Sequence, residues 1–215
     1  MTAVDHVVVA AATLDEGVRW CEATLGVTPG AGGAHALMGT HNRLLGLSSE
    51  RFPRCYLEII AIDASAPAPT AWRRWFDLDD AALQQRLHEA GPQLVHWAAR
   101  SERIDALAAR VDSGRVRAAS RHTAHGELRW RITIRDDGRR GAGGALPTLI
   151  AWGDEHPCDH LPPSAVVLRS LAVGGIDADF ETLQLAEAGV TRAPAGSTPL
   201  AVELDTPRGR LRITT

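Results

Sequence analysis

Hydrophobic and polar positions in this chain follow two periods, one typical of buried strands and one typical of amphipathic helices. Residues 4–10 form a β-branched apolar run, which predicts a buried strand. Thr13 follows, with Glu16 three residues later, and this capping box predicts the start of a helix. Further strands are predicted at 42–47 and 55–62, so the unit is a strand and a helix followed by strands. We assign it the order βαβββ.

The same pattern occurs a second time further along the chain. His6 begins the first apolar run and His96 begins the second, and each run leads to a polar helix cap. An apolar-Asp pair then follows at the same distance from each histidine. A third segment, 168–177, repeats the pattern more loosely, with Leu168 in place of the histidine. Self-similarity at a long period predicts a fold built from copies of one unit.

The repeat divides the chain into four parts. The first βαβββ module is predicted at 1–64 and the second at 93–153. Residues 65–92 are predicted to form a connector with a short helix. Residues 154–215 are predicted to form a linker and a partial third module, βαββ, which is one strand short. The predicted fold class is therefore α+β.

Composition excludes several classes of protein. Of the 215 residues 45% are hydrophobic, enough for a real core, and the net charge of −3 gives no basic field for nucleic acid. No apolar run approaches the length of a membrane span, and the first residues lack the pattern of a signal peptide. Cys21, Cys55 and Cys158 form no CxxC pair, so we expect no disulfide framework and a cytoplasmic protein.

The connector contains three large aromatic residues, Trp72, Trp75 and Phe76, just before its helix. We expect them to plug the end of a core. A lid over a ligand pocket is the alternative.

The linker contains a cluster of possible metal ligands, His156, Cys158 and His160. Structural zinc sites usually show paired CxxC or HxxxH spacings, which are absent here, and the neighbouring prolines favour a plain linker. His35 lies in a predicted loop, and we assign it no role.

Glu58 stands in the middle of an otherwise apolar strand. A buried carboxylate without a partner is strongly disfavoured, so Glu58 needs a metal, an arginine or contact with water. Two imidazoles and one carboxylate form the ligand set of open catalytic sites for Zn or Fe, and Mn, Ni or Co are also compatible. His6, Glu58 and His96 are therefore the predicted metal ligands. The alternative is that both histidines are structural and that Glu58 faces solvent on an edge strand.

Four segments carry a further similarity through their order and spacing. They are Asp5-His6-Val7-Val8-Val9 before a capped helix, GTHNRLL at 39–45, YLEII at 56–60, and LPTLIAWG at 146–153 followed by His156-Pro157. Together they resemble the glyoxalase-like domain family of the vicinal oxygen chelate superfamily, along nearly the whole chain. The resemblance implies two βαβββ modules that form a half-open barrel around a divalent metal ion.

The resemblance also implies where the metal ligands lie, on the first and last strands of each module. By position it assigns the same three ligands, two from the first module and the histidine of the second. The fourth place falls on the closing strand of the second module, where the strand pattern gives Ala151, which cannot bind a metal. A shifted register gives Leu149 or Thr148 instead. A three-ligand site open to water and substrate, or a metal-free ligand pocket, is therefore expected.

Two predicted barrel strands carry the candidate substrate-binding residues. The amide of Asn42 is expected to orient a substrate carbonyl or carboxylate; a turn or capping role is the alternative. The comparable strand of the second module holds Arg129, Trp130 and Arg131. Trp130 is expected to form an aromatic wall, and one of the arginines to hold an anionic group. The alternative is that one face of this strand packs while the other is solvated.

The resemblance implies a divalent-metal enzyme of the lyase, isomerase or dioxygenase type that acts on a small oxygenated organic substrate. The metal would polarise substrate oxygens, and Glu58 would be either a ligand only or a ligand that also acts as a catalytic base. The alternative is a protein of the same fold that sequesters small molecules without catalysis. A small molecule is the expected partner, a homodimer is left open, and neither nucleic acid nor membrane is expected.

Overall fold

The structure, a computed structural model, describes residues 1–215, which form twelve β-strands and four α-helices. The strands are β1 (Ala3–Ala10), β2 (Ala34–His35), β3 (Thr40–Gly46), β4 (Tyr56–Ile62), β5 (Gln93–Arg100), β6 (Arg115–Thr123), β7 (Gly126–Ile134), β8 (Thr148–Trp152), β9 (Val167–Val173), β10 (Thr191–Arg192), β11 (Leu200–Thr206) and β12 (Gly209–Thr214). The helices are α1 (Leu14–Leu25), α2 (Ala81–Ala90), α3 (Ile104–Ala108) and α4 (Asp177–Thr182). No helix is long and apolar enough to cross a membrane.

Eight strands form one nearly closed, barrel-like sheet in the order β2-β3-β4-β1-β5-β8-β7-β6. β1 and β5 are antiparallel at its centre. Each has a parallel neighbour from its own module, β4 beside β1 and β8 beside β5. The predicted α+β fold, with two βαβββ modules forming a barrel, is therefore confirmed.

The third module forms a separate four-stranded sheet in the order β10-β9-β11-β12. The strands and helix predicted for this partial βαββ module are present as β9, α4, β11 and β12, and the two-residue β10 lies between α4 and β11 in the chain. β10 consists of two exposed residues, so it has no apolar alternation from which it could be predicted. The pairing also differs from that of the first module. There β1 pairs with only one strand of its own module, β4, whereas β9 lies between β10 and β11.

The helix of the first module begins where the sequence predicts. Oγ1 of Thr13 accepts a hydrogen bond from the backbone N–H of Glu16 at 3.2 Å. Gly26 ends the helix with a left-handed φ of 78°, which glycine adopts without a Cβ clash. The buried face of the helix, with Cys21 and Leu25, packs on the outer side of the barrel sheet. The barrel interior is therefore left to side chains from the strands and the connector.

Alternation along β1 divides the apolar core in two. Val7 and Val9 belong to a cluster of 34 buried residues outside the barrel, whereas Val8 and Ala10 belong to a cluster of 16 inside it. The outer cluster also contains apolar residues of the third module, including Leu168, Leu171, Phe180 and Val202. The third sheet therefore covers the outer face of the barrel.

The aromatic residues of the connector plug the core from inside the barrel. Trp75 and Phe76 belong to the inner cluster, and their stacked rings have centroids 5.2 Å apart. Phe76 and Asp77 have left-handed φ angles of 60° and 59°, which are rare for residues other than glycine. Nε of Arg140 donates a hydrogen bond to Asp77 at 2.6 Å, and this contact stabilises the unusual turn.

Truncating one apolar residue of the third module tests whether this module is an integral part of the core. We expect Leu171→Ala to lower the free energy of unfolding by about 2–5 kcal/mol, because Leu171 is fully buried in the outer cluster. Urea denaturation followed by circular dichroism measures this loss. The matched control is Arg169→Ala on the same strand, where a half-exposed ion pair contributes less than about 1 kcal/mol. Equal effects of the two substitutions would contradict the packing described above.

Candidate functional site

Asp5 is a fully buried carboxylate at an irregularity of β1 between Val4 and His6. Its Oδ1 accepts a hydrogen bond from Nδ1 of His6 at 2.7 Å. Its Oδ2 accepts hydrogen bonds from Nε1 of Trp152 and Nε2 of His156, both at 3.0 Å. Burial alone would raise the pKa of Asp5, but the hydrogen bonds from His156 and His6 hold it well below its usual range. Asp5 is therefore ionised in the folded protein.

The second ring nitrogen of His6 faces another buried carboxylate. Nε2 of His6 lies 3.7 Å from Oε2 of Glu58, which is too long for a hydrogen bond. Burial would lower the pKa of His6, but the hydrogen bond and charge of Asp5 and the charge of Glu58 raise it above 6.5. The ring also stacks on Tyr56, with centroids 4.7 Å apart. Two potential metal donors are thus held face to face.

Asn42 connects Glu58 to a second histidine. Nδ2 of Asn42 donates to Oε1 of Glu58 at 2.6 Å and lies 3.1 Å from Nε2 of His35. Burial lowers the pKa of His35 to about 4, so this imidazole is neutral at pH 7. Its Nε2 therefore accepts from Asn42, and its Nδ1 donates to Oγ1 of Thr40 at 3.0 Å.

Arg121 reaches the same asparagine from β6 of the second module. Its Nη1 donates to Oδ1 of Asn42 at 3.1 Å, and the same oxygen accepts from the backbone N–H of Gly33 at 2.9 Å. Both ends of the Asn42 amide are therefore fixed, which orients its Nδ2 toward Glu58.

These polar groups line a small cavity of ≈ 30 Å³ in the first half of the barrel, room for about two water molecules. Its apolar wall includes five aromatic rings, those of Tyr56, Trp75, Phe76, Trp130 and Trp152. An open cleft of ≈ 1210 Å³ lies beyond Trp130 and Trp152, which line both spaces. The centroids of these two tryptophan rings are 5.7 Å apart. His156 also lines the cleft.

Comparison with known proteins identifies the family. The family model described as a glyoxalase-like domain matches residues 4–189. The chain belongs to this glyoxalase-like domain family. The family is part of the vicinal oxygen chelate superfamily, whose members commonly bind divalent metals. No curated protein sequence matches the chain.

Several solved structures resemble this glyoxalase-like protein. A hypothetical protein from Staphylococcus aureus has 15% identity and a TM-score of 0.52, and the match covers 100% of this chain and 86% of that one. Methylmalonyl-CoA epimerase from Streptomyces coelicolor has 20% identity and a TM-score of 0.44, with 73% of this chain and 98% of that one covered. The epimerase from Mycobacterium tuberculosis has 20% identity and a TM-score of 0.40, with coverages of 70% and 86%. At 15% identity, the Staphylococcus aureus structure supports a shared fold and no shared function.

His96, the predicted ligand from the second module, does not line the small cavity of this glyoxalase-like barrel. Its Nε2 accepts a hydrogen bond from the backbone N–H of Thr148 at 3.1 Å and lies 3.0 Å from the Thr148 hydroxyl. Its Nδ1 is buried without a partner, and its ring centroid is 4.9 Å from that of Phe76. Burial lowers the pKa of His96 to about 3. The ring is therefore neutral, with its acceptor nitrogen already occupied.

The pairing of β1 with β5 relates the two modules by an approximate two-fold axis. His6 faces Ala98 across this pair, and Val8 faces His96. A rotation about this axis, which exchanges β1 and β5, superposes His6 on His96 and Val8 on Ala98. The two histidines therefore occupy equivalent positions in the sheet, although their surroundings differ.

The two-fold relation between the modules places the fourth ligand position at Thr148. Val8 has Glu58 as its parallel neighbour in β4, and Ala98 has Thr148 as its parallel neighbour in β8. The prediction of Ala151 for this position is therefore wrong. Ala151 packs against the outer cluster, on the other face of the strand. A threonine that hydrogen-bonds to the nearby histidine thus replaces the carboxylate.

The side chains fit one half of the metal site that the family implies. The 3.7 Å between Nε2 of His6 and Oε2 of Glu58 is close to the roughly 3.5 Å that separates two ligands bonded to one zinc ion. The hydrogen bond from His6 to Asp5 is of the kind that orients metal-binding histidines. In the other half, His96 and Thr148 bind each other. No three or more His, Cys, Asp or Glu side chains lie close enough together to hold an ion, so the predicted ligands are not assembled.

The predicted substrate-binding residues fall into two groups. Asn42 and Trp130 line the small cavity, but Arg129 and Arg131 lie on the other face of β7 and do not. Their side chains are 72% and 46% exposed, and both pair with acidic neighbours. The two arginines line the open cleft instead, because Trp130 between them points inward.

Four polar residues of the site were not predicted, namely Asp5, His35, Arg121 and His156. Asp5 stands at a strand irregularity, and such bulges have no reliable sequence signal. His35 lies on a strand of only two residues. His156 was assigned to a linker, but it caps the short helix Pro157–Asp159 and turns back onto Asp5. Its place in the His-Pro part of the family resemblance was the available signal.

The two neutral histidines predict a pH dependence of stability. Below pH 6.5 the histidines of the unfolded chain take up protons, whereas folded His35 and His96 stay neutral until about pH 4 and about pH 3. The unfolded state therefore binds more protons, and the free energy of unfolding falls as the pH is lowered from 6 to 5. Each of the two histidines contributes about 1.2 kcal/mol per pH unit in this window, because the unfolded histidine is not fully protonated at pH 6.

Urea denaturation of the wild type and of His96→Gln measures this slope. We expect the substitution to reduce the slope, while His88→Gln, at an exposed position of α2, leaves it unchanged. The raised pKa of His6 does not interfere, since its stabilising contribution is complete below pH 6.5 and is lost only as the pH rises above that value. An identical slope in His96→Gln and wild type would contradict the neutral state of this residue.

Proposed function

We propose that this protein is an enzyme that acts on a small oxygenated organic molecule beside His6 and Glu58, with a divalent metal as its cofactor. The observation that carries the proposal is the 3.7 Å approach of Nε2 of His6 to Oε2 of Glu58. Both side chains are buried, yet neither of these two atoms has a hydrogen-bond partner or is sealed off by protein. Donor atoms left free in a buried site are typical of ligand or metal binding.

Among lyase, isomerase and dioxygenase reactions, the arrangement favours those that move a proton. Asn42 fixes Oε1 of Glu58, so Oε2 is the atom left to bind an ion or to exchange a proton with the substrate. A divalent metal held by His6 and Glu58 would act as a Lewis acid on a substrate oxygen.

The remaining residues orient these groups and exclude water. Asp5 accepts the Nδ1 proton of His6, which directs the free Nε2 into the cavity. Trp130 and Trp152 cover the cavity on the side of the cleft. With little water present, electrostatic interactions between the substrate, His6 and Glu58 are stronger than in solution.

A second candidate function is sequestration of a small molecule without catalysis. One observation favours it: the second half of the barrel holds no free donor pair, because His96 and Thr148 bind each other. Phe76 also packs against that histidine. The two functions differ in their need for a metal, so metal binding distinguishes them.

Metal titration of protein purified without a histidine tag tests the enzyme proposal. After treatment with EDTA, we expect one Zn, Fe, Mn, Ni or Co ion per chain to bind in isothermal titration calorimetry. His6→Gln and Glu58→Gln remove the two donors and should abolish this binding. The controls are His88→Gln and Glu89→Gln, which change the same residue types at exposed positions of α2. Equal metal affinity in all four variants, or no binding of any of these ions, would count against the proposal.

Asp5→Asn tests whether Asp5 positions His6. An uncharged amide lowers the pKa of His6, since the charge of Asp5 is one of the causes that raise it. We also expect metal affinity to fall by about 10–100-fold, as is usual when the partner of a metal-binding histidine is removed. NMR titration of the histidine ring protons measures the pKa, and calorimetry measures the affinity. Asp154→Asn, at an exposed position, should change neither, and an unaltered His6 pKa in Asp5→Asn would contradict the positioning role.

A further inference from the structure

We propose that Arg121 binds the carboxylate group of the substrate, so that this protein acts on small carboxylate anions. This inference names the substrate class of the site and rests on the proposed function for the reaction that follows. It concerns a residue from the second module that completes a site built mainly by the first.

Arg121 is part of the wall of the small cavity. It lies on the edge strand β6 and reaches across to β3, where Nη1 donates to Oδ1 of Asn42 at 3.1 Å. Its approach depends on Gly33, since a Cβ at that position would lie only 2.9 Å from Nη1 and 3.3 Å from Cζ. The guanidinium is also part of the cavity wall, together with His6 and Glu58.

The guanidinium of Arg121 has a free edge. Its Nε is buried without a hydrogen-bond partner, and its Nη2 donates to no protein atom. Nε and Nη2 form one side of the planar guanidinium fork, and two parallel N–H groups of this kind match the two oxygens of a carboxylate. A buried donor without a partner is unfavourable in the free protein, so a bound carboxylate would satisfy it.

The positive charge of Arg121 also lacks a direct counter-charge. Most arginines described above pair with acidic side chains, but Arg121 forms no ion pair. Burial lowers the pKa of Arg121, whereas the charge of Glu58 acts to raise it. However, Arg121 and Glu58 each form a hydrogen bond to Asn42 and not to each other. Arginine stays protonated even where burial lowers its pKa, as it does here. An anionic ligand therefore gains a charge-assisted contact that a neutral ligand of the same shape cannot make.

Asn42 sets the relation between this anion site and the reactive groups. Its Oδ1 binds Arg121 and its Nδ2 binds Glu58, so one side chain separates the two. A carboxylate held at Arg121 places its neighbouring carbon and oxygen atoms on the side of Glu58 and His6. Because Glu58 and His6 line the same cavity, the site favours a substrate with an oxygen function next to the carboxylate.

Ligand titration of the metal-free, full-length protein tests this inference. Pyruvate is the probe, acetone is its neutral counterpart, and tryptophan fluorescence is the readout because Trp75, Trp130 and Trp152 line the cavity. We expect saturable binding of pyruvate and much weaker binding of acetone. Because EDTA removes any metal, failure of the metal proposal leaves this result unaffected.

Two variants change the proposed anion site in different ways. Arg121→Gln removes the charge and should weaken pyruvate binding about tenfold or more, the usual effect of losing a charged hydrogen-bond partner. Gly33→Ala keeps the charge but crowds the guanidinium, and it should also weaken binding. Arg115→Gln is the control, since its side chain is 80% exposed on the same strand. Circular dichroism establishes that each variant is folded.

Three results would overturn the inference. One is equal pyruvate affinity in folded Arg121→Gln or Gly33→Ala and in the control. Another is binding of acetone as tightly as pyruvate. The third is binding of inorganic phosphate that depends on Arg121 without any binding of pyruvate, which would assign the residue to a different class of anion.

Discussion

The buried charge of Asp5 is the constraint on which the rest of the site depends. A carboxylate with no exposed surface is very unfavourable unless hydrogen bonds and cations replace its water. Here the donors come from three parts of the chain, namely His6 on β1, Trp152 at the end of β8 and His156 in the linker. Arg100 at the end of β5 adds a cation 3.8 Å away. The charge can be buried only when these segments meet, so folding and assembly of the site are coupled.

The same charge explains why two equivalent histidines behave differently. The residue before His6 is Asp5, whereas the residue before His96 is Val95, which belongs to the inner apolar cluster. With a carboxylate beside it, His6 has a raised pKa and a free Nε2 that faces Glu58. Without one, His96 is a neutral residue of the core. The duplicated fold thus carries one polar half, suited to chemistry, and one half suited to packing.

The sequence predicts those parts of the structure that depend on local periodicity. Alternation along the strands predicted the two modules and correctly placed Asn42 and Trp130 on barrel strands. The same alternation places Arg129 on the opposite face of the strand from Trp130. By contrast, the choice between Ala151 and Thr148 depends on the parallel register of β5 and β8, which no local pattern encodes.

The polar site residues that the sequence did not predict reach the site through contacts between distant parts of the chain. Arg121 became part of the site because an edge strand of one module curves back to the open edge of the other. Such closure depends on the twist of all eight strands and has no signal in the residues around position 121. His35 lies on β2, whose two residues pair with β3. A strand of that length is specified by its partner, because it has too few positions to show alternation.

Access to the cavity follows from the same set of contacts. A space of ≈ 30 Å³ is smaller than an organic substrate, so binding requires a wall to move. Trp130 and Trp152 form the wall toward the open cleft, and Nε1 of Trp152 donates to Asp5 at 3.0 Å. Turning the Trp152 ring breaks this hydrogen bond and removes one of the donors that stabilise the buried charge. Trp152 is therefore part both of the cavity wall and of the set of hydrogen bonds that stabilises the charge of Asp5.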